Sequence, residues 1–280
     1  MIALLLAAQL AAAPPLPLKV ATYAYPKYDR AAALKPMADQ LGAALGRETQ
    51  VVLLETPDAL AQAIAAGEVD VAMTNLAAYL AVQAEPKVQA VAVLDVPAAT
   101  AGRYRGVLVA RRDAGVTAIS DLPEKAARLR YAEVLPGSTS GALVQAAALR
   151  EAGLTPGRFN EARQTGTHEA ALAALQAGTA DLAAFAEEPW RKLKAEDPQA
   201  AAGLVELWRS APLPAGPVVC IKAATTPCDE IEAVLLSDGA TAAELAKGWS
   251  ETEGAVRFRD HDAQLYSGLR DDLPLSAALR

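Results

Sequence analysis

Hydrophobic and polar positions along the chain alternate between two rhythms. Short apolar runs rich in Val and Leu occur at LKVATYA (18–24), TQVVLLET (49–56), VDVAMT (69–74) and VQAVAVLDV (88–96). Their length and β-branched content predict buried strands. Between them lie stretches with helical spacing, AALKPMADQLGAALG (32–46), PDALAQAIAAG (57–67) and NLAAYLAVQA (75–84). Gly46 and Gly67 close the first two, where a left-handed cap costs little, and Pro57 with Asp58 opens the second. Strand–helix alternation of this kind predicts mostly parallel sheets covered by helices.

From about residue 106 the pattern restarts. GVLVARRD (106–113), RLRYAEV (128–134), NEARQTGT (160–167) and ADLAAFAEEP (180–189) read as strands. ISDLPEKAARL (119–129), a run ending at Gly153, and HEAALAALQAG (168–178) supply helices. A proline-rich joint, SAPLPAGP (210–217), precedes a last strand, VVCIKAA (218–224), and a helical tail expected to pack back onto the first block. The reading is an α/β chain in two lobes, each a mixed, mostly parallel sheet flanked by helices. Lobe 1 takes residues 18–105 plus 210–280 and lobe 2 takes 106–209, with crossings near 104–106 and 208–212. Sites in open α/β sheets lie beyond the carboxyl ends of strands. The loops 24–30, 73–79, 136–141, 165–169 and 186–189 are therefore expected to face one cleft.

Composition sharpens this picture. Of 280 residues 52% are hydrophobic, enough for a large core, and a formal charge of -7 disfavours nucleic acid as a partner. Residues 1–17 resemble a secretory leader, an apolar run too short to span a bilayer, followed by Pro14 and Pro15. No Lys or Arg precedes the run, so a cytosolic chain with an unusual start is the alternative. Cys220 and Cys228 are the only cysteines; in an exported chain they read as a local disulfide, otherwise as two unrelated buried thiols. Two histidines far apart are poor material for a metal site, and none is expected; nor is a cofactor.

The candidate chemistry lies in the loops. VLPGSTSGALV sets Ser138, Thr139 and Ser140 between Gly137 and Gly141, just before a helix. Three hydroxyls and unpaired backbone N–H groups at a helix start can hold an oxyanion without lysine; ordinary capping, which needs one hydroxyl, is the alternative. The absence of a GK[ST] ending disfavours a nucleotide P-loop. His168 follows Thr165, Gly166 and Thr167 at the start of a helix. Its ring can donate one N–H to an anion, or two if protonated, unless it simply faces solvent. Tyr23, Tyr25 and Tyr28 crowd one strand end, and Thr74, Asn75 and Tyr79 another, in a chain with 5% aromatics. Such tyrosines either wall a small ligand or pack the lobe surface. Glu187 and Glu188 follow a buried strand, as cleft carboxylates or as surface charges. Lys27 and Arg30 read as solvated charges. No Ser-His-Asp order, GxSxG elbow or metal-spaced His cluster occurs, so no catalytic residue is assigned.

Several of these stretches carry a family resemblance. DLPEKAARLRYAEVLPGSTSGALV, AALREAGL and GTHEAALAALQAGTADLAA, preceded by PMADQLGAALG, AGEVDVAMTNLAAYL and RYRGVLVARRDAGV, resemble the substrate-binding proteins of phosphonate, phosphite and phosphate ABC transporters. The resemblance implies a type II periplasmic-binding-protein fold closing on a ligand. It implies that Ser138, Thr139, Ser140 and His168 grip the anion, that Tyr25 and Tyr79 line the opposite wall, and that Tyr104 contributes from the crossover. It also implies a periplasmic, non-enzymatic, monomeric protein that passes a small oxyanion to a membrane permease. Two departures bear on the ligand's substituent: TN follows VDVAM where Gly-Pro is common, and Ala186 stands where an aspartate is often found. The alternatives are a sensor component presenting phosphate or arsenite to a histidine kinase, and an enzyme on the same frame.

Overall fold

The computed structural model describes residues 16–237, 239–266 and 269. The leader-like segment therefore lies almost wholly outside the described residues. Strands β1 (Leu18–Tyr23), β2 (Thr49–Leu54), β3 (Val71–Met73) and β4 (Val88–Leu94) come first. They are followed by β5 (Gly106–Arg111), β6 (Arg130–Glu133), β7 (Glu161–Gln164), β8 (Leu182–Ala186) and β9 (Leu204–Arg209). β10 (Val218–Ile221) and β11 (Phe258–Arg259) end the series. One sheet has the order β11-β4-β10-β3-β1-β2, the other β7-β6-β8-β5-β9.

Each sheet is covered on both faces, which is why its central strands are apolar throughout. In β5 and β8 successive residues go to opposite sides, as a pleated strand requires. Val107, Val109, Ala183 and Phe185 meet Leu172, Leu175 and Trp190. Leu108, Ala110, Leu182 and Ala184 meet Leu122, Leu149 and Phe159. The first sheet divides the same way, Val20 and Val71 facing Leu34, Met37 and Leu41, and Ala21 and Ala72 facing Leu60, Ile64 and Leu76. The tail returns to that first sheet, burying Ile231, Leu235 and Trp249 against it. It also adds β11, paired with β4.

The sheets are less parallel than strand–helix alternation suggests. β1 pairs parallel with β2 and β3, and β6 with β7 and β8. β10 runs antiparallel between β3 and β4, and β5 antiparallel between β8 and β9. The crossovers cause this. Gly106 opens β5 beside Ala186, the carboxyl end of β8, and Val218 opens β10 beside Met73, the carboxyl end of β3. A strand entering from the cleft edge must run away from it. The crossovers are bonded together: Ser210 Oγ accepts from Gly106 N at 3.0 Å, and Leu213 N donates to Tyr104 O at 2.8 Å. β9, read in the sequence only as the end of a block, is a full strand feeding the second crossover.

Candidate ligand-binding site

The strand ends β1, β3, β6, β7 and β8 all open onto the same space between the sheets, and the antiparallel β5 begins there. A cavity of about 40 Å³ lies in it, lined by Tyr25, Arg30, Ser138, Ser140, His168 and Glu251, among others. A water needs roughly 10–15 Å³ of such space. The cavity therefore holds more than one water, and it shares Tyr104, Ser250 and Glu251 with a wider groove outside it.

The hydroxyl turn is built by its two glycines. Gly137 has φ +75°, a left-handed conformation, and a Cβ there would meet Asp58 Oδ1 at 2.4 Å. Gly141 allows close approach: a Cβ would meet Val134 Cγ2 at 2.3 Å and His168 Cε1 at 2.9 Å. Thr139–Leu143, with Gly141 at its centre, forms a single wide π turn that leads into the helix Val144–Glu151. Ser138, Thr139 and Ser140 are all buried, and Ser138 makes no side-chain cap bond, so simple capping does not explain its hydroxyl. Thr139 is partly committed, since its Oγ1 accepts from Ala77 N at 3.0 Å. Burial pushes the Tyr104 phenol well up, opposed by the Ser140 and Thr139 hydroxyls beside it.

His168 is a single donor. Its Nδ1 accepts from Ala186 N at 3.0 Å, so in the neutral ring the proton sits on Nε2. Desolvation holds its pKa down at about 4, so the ring of the ligand-free site is neutral near pH 7. Thr167 caps this helix, accepting from Ala170 N at 3.1 Å. The backbone N–H of His168 donates to Tyr25 Oη at 3.2 Å, and the Tyr25 ring stacks on Tyr28.

Arg30 departs most from the sequence reading. It is 4% exposed, not solvated, and lies against the faces of Tyr23, Tyr25 and Trp249. Its Nε donates to Gly248 O at 2.9 Å and its Nη1 to Tyr23 O at 3.3 Å. A buried cation therefore lines the cavity. Lys27 is exposed as expected, but pairs with Glu169 of the second lobe at 2.5 Å.

Three sequence candidates fall elsewhere. Thr74 is buried with Oγ1 donating to Pro217 O at 2.6 Å, and is structural. Tyr79 bonds His261 Nε2 through its hydroxyl at 3.0 Å and packs edge-on against Tyr266, inside the first lobe. Glu187 points to Arg209 at 2.8 Å and faces an outer groove, while Glu188 lines the inner cavity. Asn75 does reach the cavity: its Oδ1 accepts from Ala78 N as a helix cap and its Nδ2 donates to Gly137 O at 2.9 Å. Arg30, Glu169, Ser250 and Glu251 line the cavity although the sequence reading assigned none of them to the site. The aromatic cluster beside Arg30 was the one available signal; nothing local marks Glu251.

Cys220 and Cys228 are joined as a disulfide, so neither thiol is free to bind arsenic. No helix among the described residues is long and apolar enough to cross a membrane.

Known proteins share this fold. PhnD1 from Prochlorococcus marinus, in complex with methylphosphonate, superposes with a TM-score of 0.66 at 18% identity, covering 91% of this chain and 96% of its own. A binding protein component of the ABC phosphonate transporter of Pseudomonas aeruginosa gives 0.67 at 19% identity, with 92% and 85% covered. A Xanthomonas citri protein bound to ATP gives 0.67 at 18%, with 91% and 97% covered. At such identities the likeness is one of fold. Residues 23–266 also match the sequence model of one family, described as the periplasmic substrate-binding protein of the phosphonate ABC transporter. With the hydroxyl turn, the following histidine and every strand but β1 inside that span, the chain belongs to the family of periplasmic phosphonate-binding proteins of ABC transporters.

Proposed function

We propose that this chain captures a small phosphonate-type oxyanion (a phosphonate, phosphite or phosphate) in the cavity between its sheets and delivers it, as an exported monomer, to an ABC permease. The observation that carries the reading is the shared lining: Ser138, Ser140 and His168 from one lobe and Arg30 from the other border a single small cavity. Hydroxyl donors, a neutral imidazole N–H and a buried guanidinium together suit an anion whose oxygens each need a donor. The cavity's size favours a compact head, and the methylphosphonate held by PhnD1 has one. Membership of a transporter family supports delivery to a permease, and nothing supports the sensor alternative.

Calorimetric titration with methylphosphonate, phosphite and phosphate tests the reading. The expected result is saturable one-to-one binding of at least one of them. Absence of heat from all three at millimolar concentration would overturn it.

A further inference from the structure

Three carboxylic side chains face the inner cavity, and they are not equivalent. Glu169 is tied to Lys27 in an exposed pair, and Glu188 is exposed on the second lobe. Glu251 is half-buried at the meeting point of the inner cavity, the outer groove and a third hollow behind it. Among the described residues it makes no ion pair within 4 Å; its carboxylate accepts from its own backbone N–H and, at a long 3.5 Å, from Ser250 Oγ. Arg30, the buried cation of the same cavity, directs two N–H groups to the carbonyls of Gly248 and Tyr23 instead. The rest of the lining consists largely of donors, and Glu251 is an acceptor that, among the described residues, has only local partners and no cation in contact with it.

We propose that the Glu251 carboxylate accepts a hydrogen bond from a protonated oxygen of the ligand, so that the site takes the singly charged P–OH form of a phosphonate-type anion and rejects a sulfonate of the same shape. This rests on the oxyanion reading above and adds the ligand's protonation state to it. The proton stays on phosphorus-bound oxygen, and no bond is made or broken. A sulfonate carries no such proton, so its oxygens would face the carboxylate charge to charge unless Glu251 drew a proton from solvent.

The surroundings agree. Burial pushes the Glu251 carboxyl up, with the Arg30 charge drawing it back. Tyr23 and Tyr104 face it, both phenols pushed up chiefly by burial and further by its charge, and Arg259 and Tyr266 border it from behind. On the outer side Arg103, Lys247 and Glu253 border the groove it opens onto. A carboxylate in that setting gains from a donor brought by the ligand more than an exposed one would.

The test is calorimetry at about pH 6 with methylphosphonate and methanesulfonate, on the wild-type chain and on Glu251→Gln. Wild type is expected to favour methylphosphonate by roughly hundredfold or more, the scale on which polar sites reject analogues lacking a matched proton. Glu251→Gln, whose amide can donate to a sulfonate oxygen, is expected to shrink that ratio at least about tenfold. Equal wild-type affinities within about threefold, or an unchanged ratio in the variant, would overturn the inference while leaving the oxyanion reading intact. Should the variant not fold, as judged by circular dichroism, the wild-type ratio decides alone. Failure of wild type to bind methylphosphonate would also overturn the inference; failure of phosphite and phosphate as well would remove the oxyanion reading with it.

Discussion

His168 contributes one N–H from Nε2 because Ala186 N occupies Nδ1, and its depressed pKa follows from desolvation. The linkage sign is fixed by that direction. Stability from the neutral ring is fully present above the unfolded value near 6.5 and is lost as pH falls through about 4. Ligand binding should need no imidazolium. The ratio of wild-type to His168→Ala affinity for methylphosphonate is therefore expected to stay constant between about pH 5.5 and 8, measured by calorimetry. A ratio that declined as pH rose through 6.5 would mean that the charged ring binds. Ser138→Ala removes a buried hydroxyl with no cap bond, and should weaken binding about tenfold or more, since a hydrogen bond to a charged group contributes ~1.5–3 kcal/mol. Residues at this scale were unevenly legible. Three hydroxyls between glycines announce themselves locally, whereas Arg30 is buried by Trp249, which the tail brings back from far along the chain.

Among elements, the strand–helix rhythm was readable because both faces of each sheet are covered, leaving long apolar runs between capped helices. Direction was not readable. Apolar pattern reports burial, and β5 and β10 are as buried reversed as they would be parallel. β9 escaped because LVELWR mixes polar and apolar positions at the sheet edge, and β11 because two residues carry no period. Tyr79 misled for a related reason: helical spacing set it near the cleft, but His261 from the tail engages its hydroxyl. The disulfide links β10 to the helix Cys228–Ser237 across a separation of eight residues. Closing a loop of that length contributes about 2–3 kcal/mol in the chain-entropy treatment. Reduction, or Cys228→Ser, is expected to lower Tm by several degrees in calorimetric melting, with the anion site left intact. An unchanged Tm would mean that packing of this segment already fixes it.

Over the whole molecule, the ties between the two halves among the described residues include Asn75 Nδ2 to Gly137 O, Ala77 N to Thr139 Oγ1, His168 N to Tyr25 Oη and Lys27 to Glu169, with Glu187 N to Arg105 O beside the crossover. Each neutral bond contributes about 0.5–1.5 kcal/mol net, and the exposed ion pair about 0–1. Ties this weak are compatible with opening about the bonded crossovers at Ser210–Gly106 and Leu213–Tyr104. Small-angle X-ray scattering is expected to give a smaller radius of gyration when methylphosphonate is added; an unchanged value would argue for a rigid site. The two-lobe plan was legible in the sequence from the restart near residue 106 and the proline-rich joint. The cavity's true lining was not, because it depends on how the lobes meet. A crystal structure of the chain with methylphosphonate would decide the matter. The expected result is a phosphonate group in the inner cavity, with its oxygens within hydrogen-bonding distance of the Ser138 and Ser140 hydroxyls and of His168 Nε2. A ligand bound only in the outer groove, with those three groups turned from it, would contradict the binding mode argued for this family member.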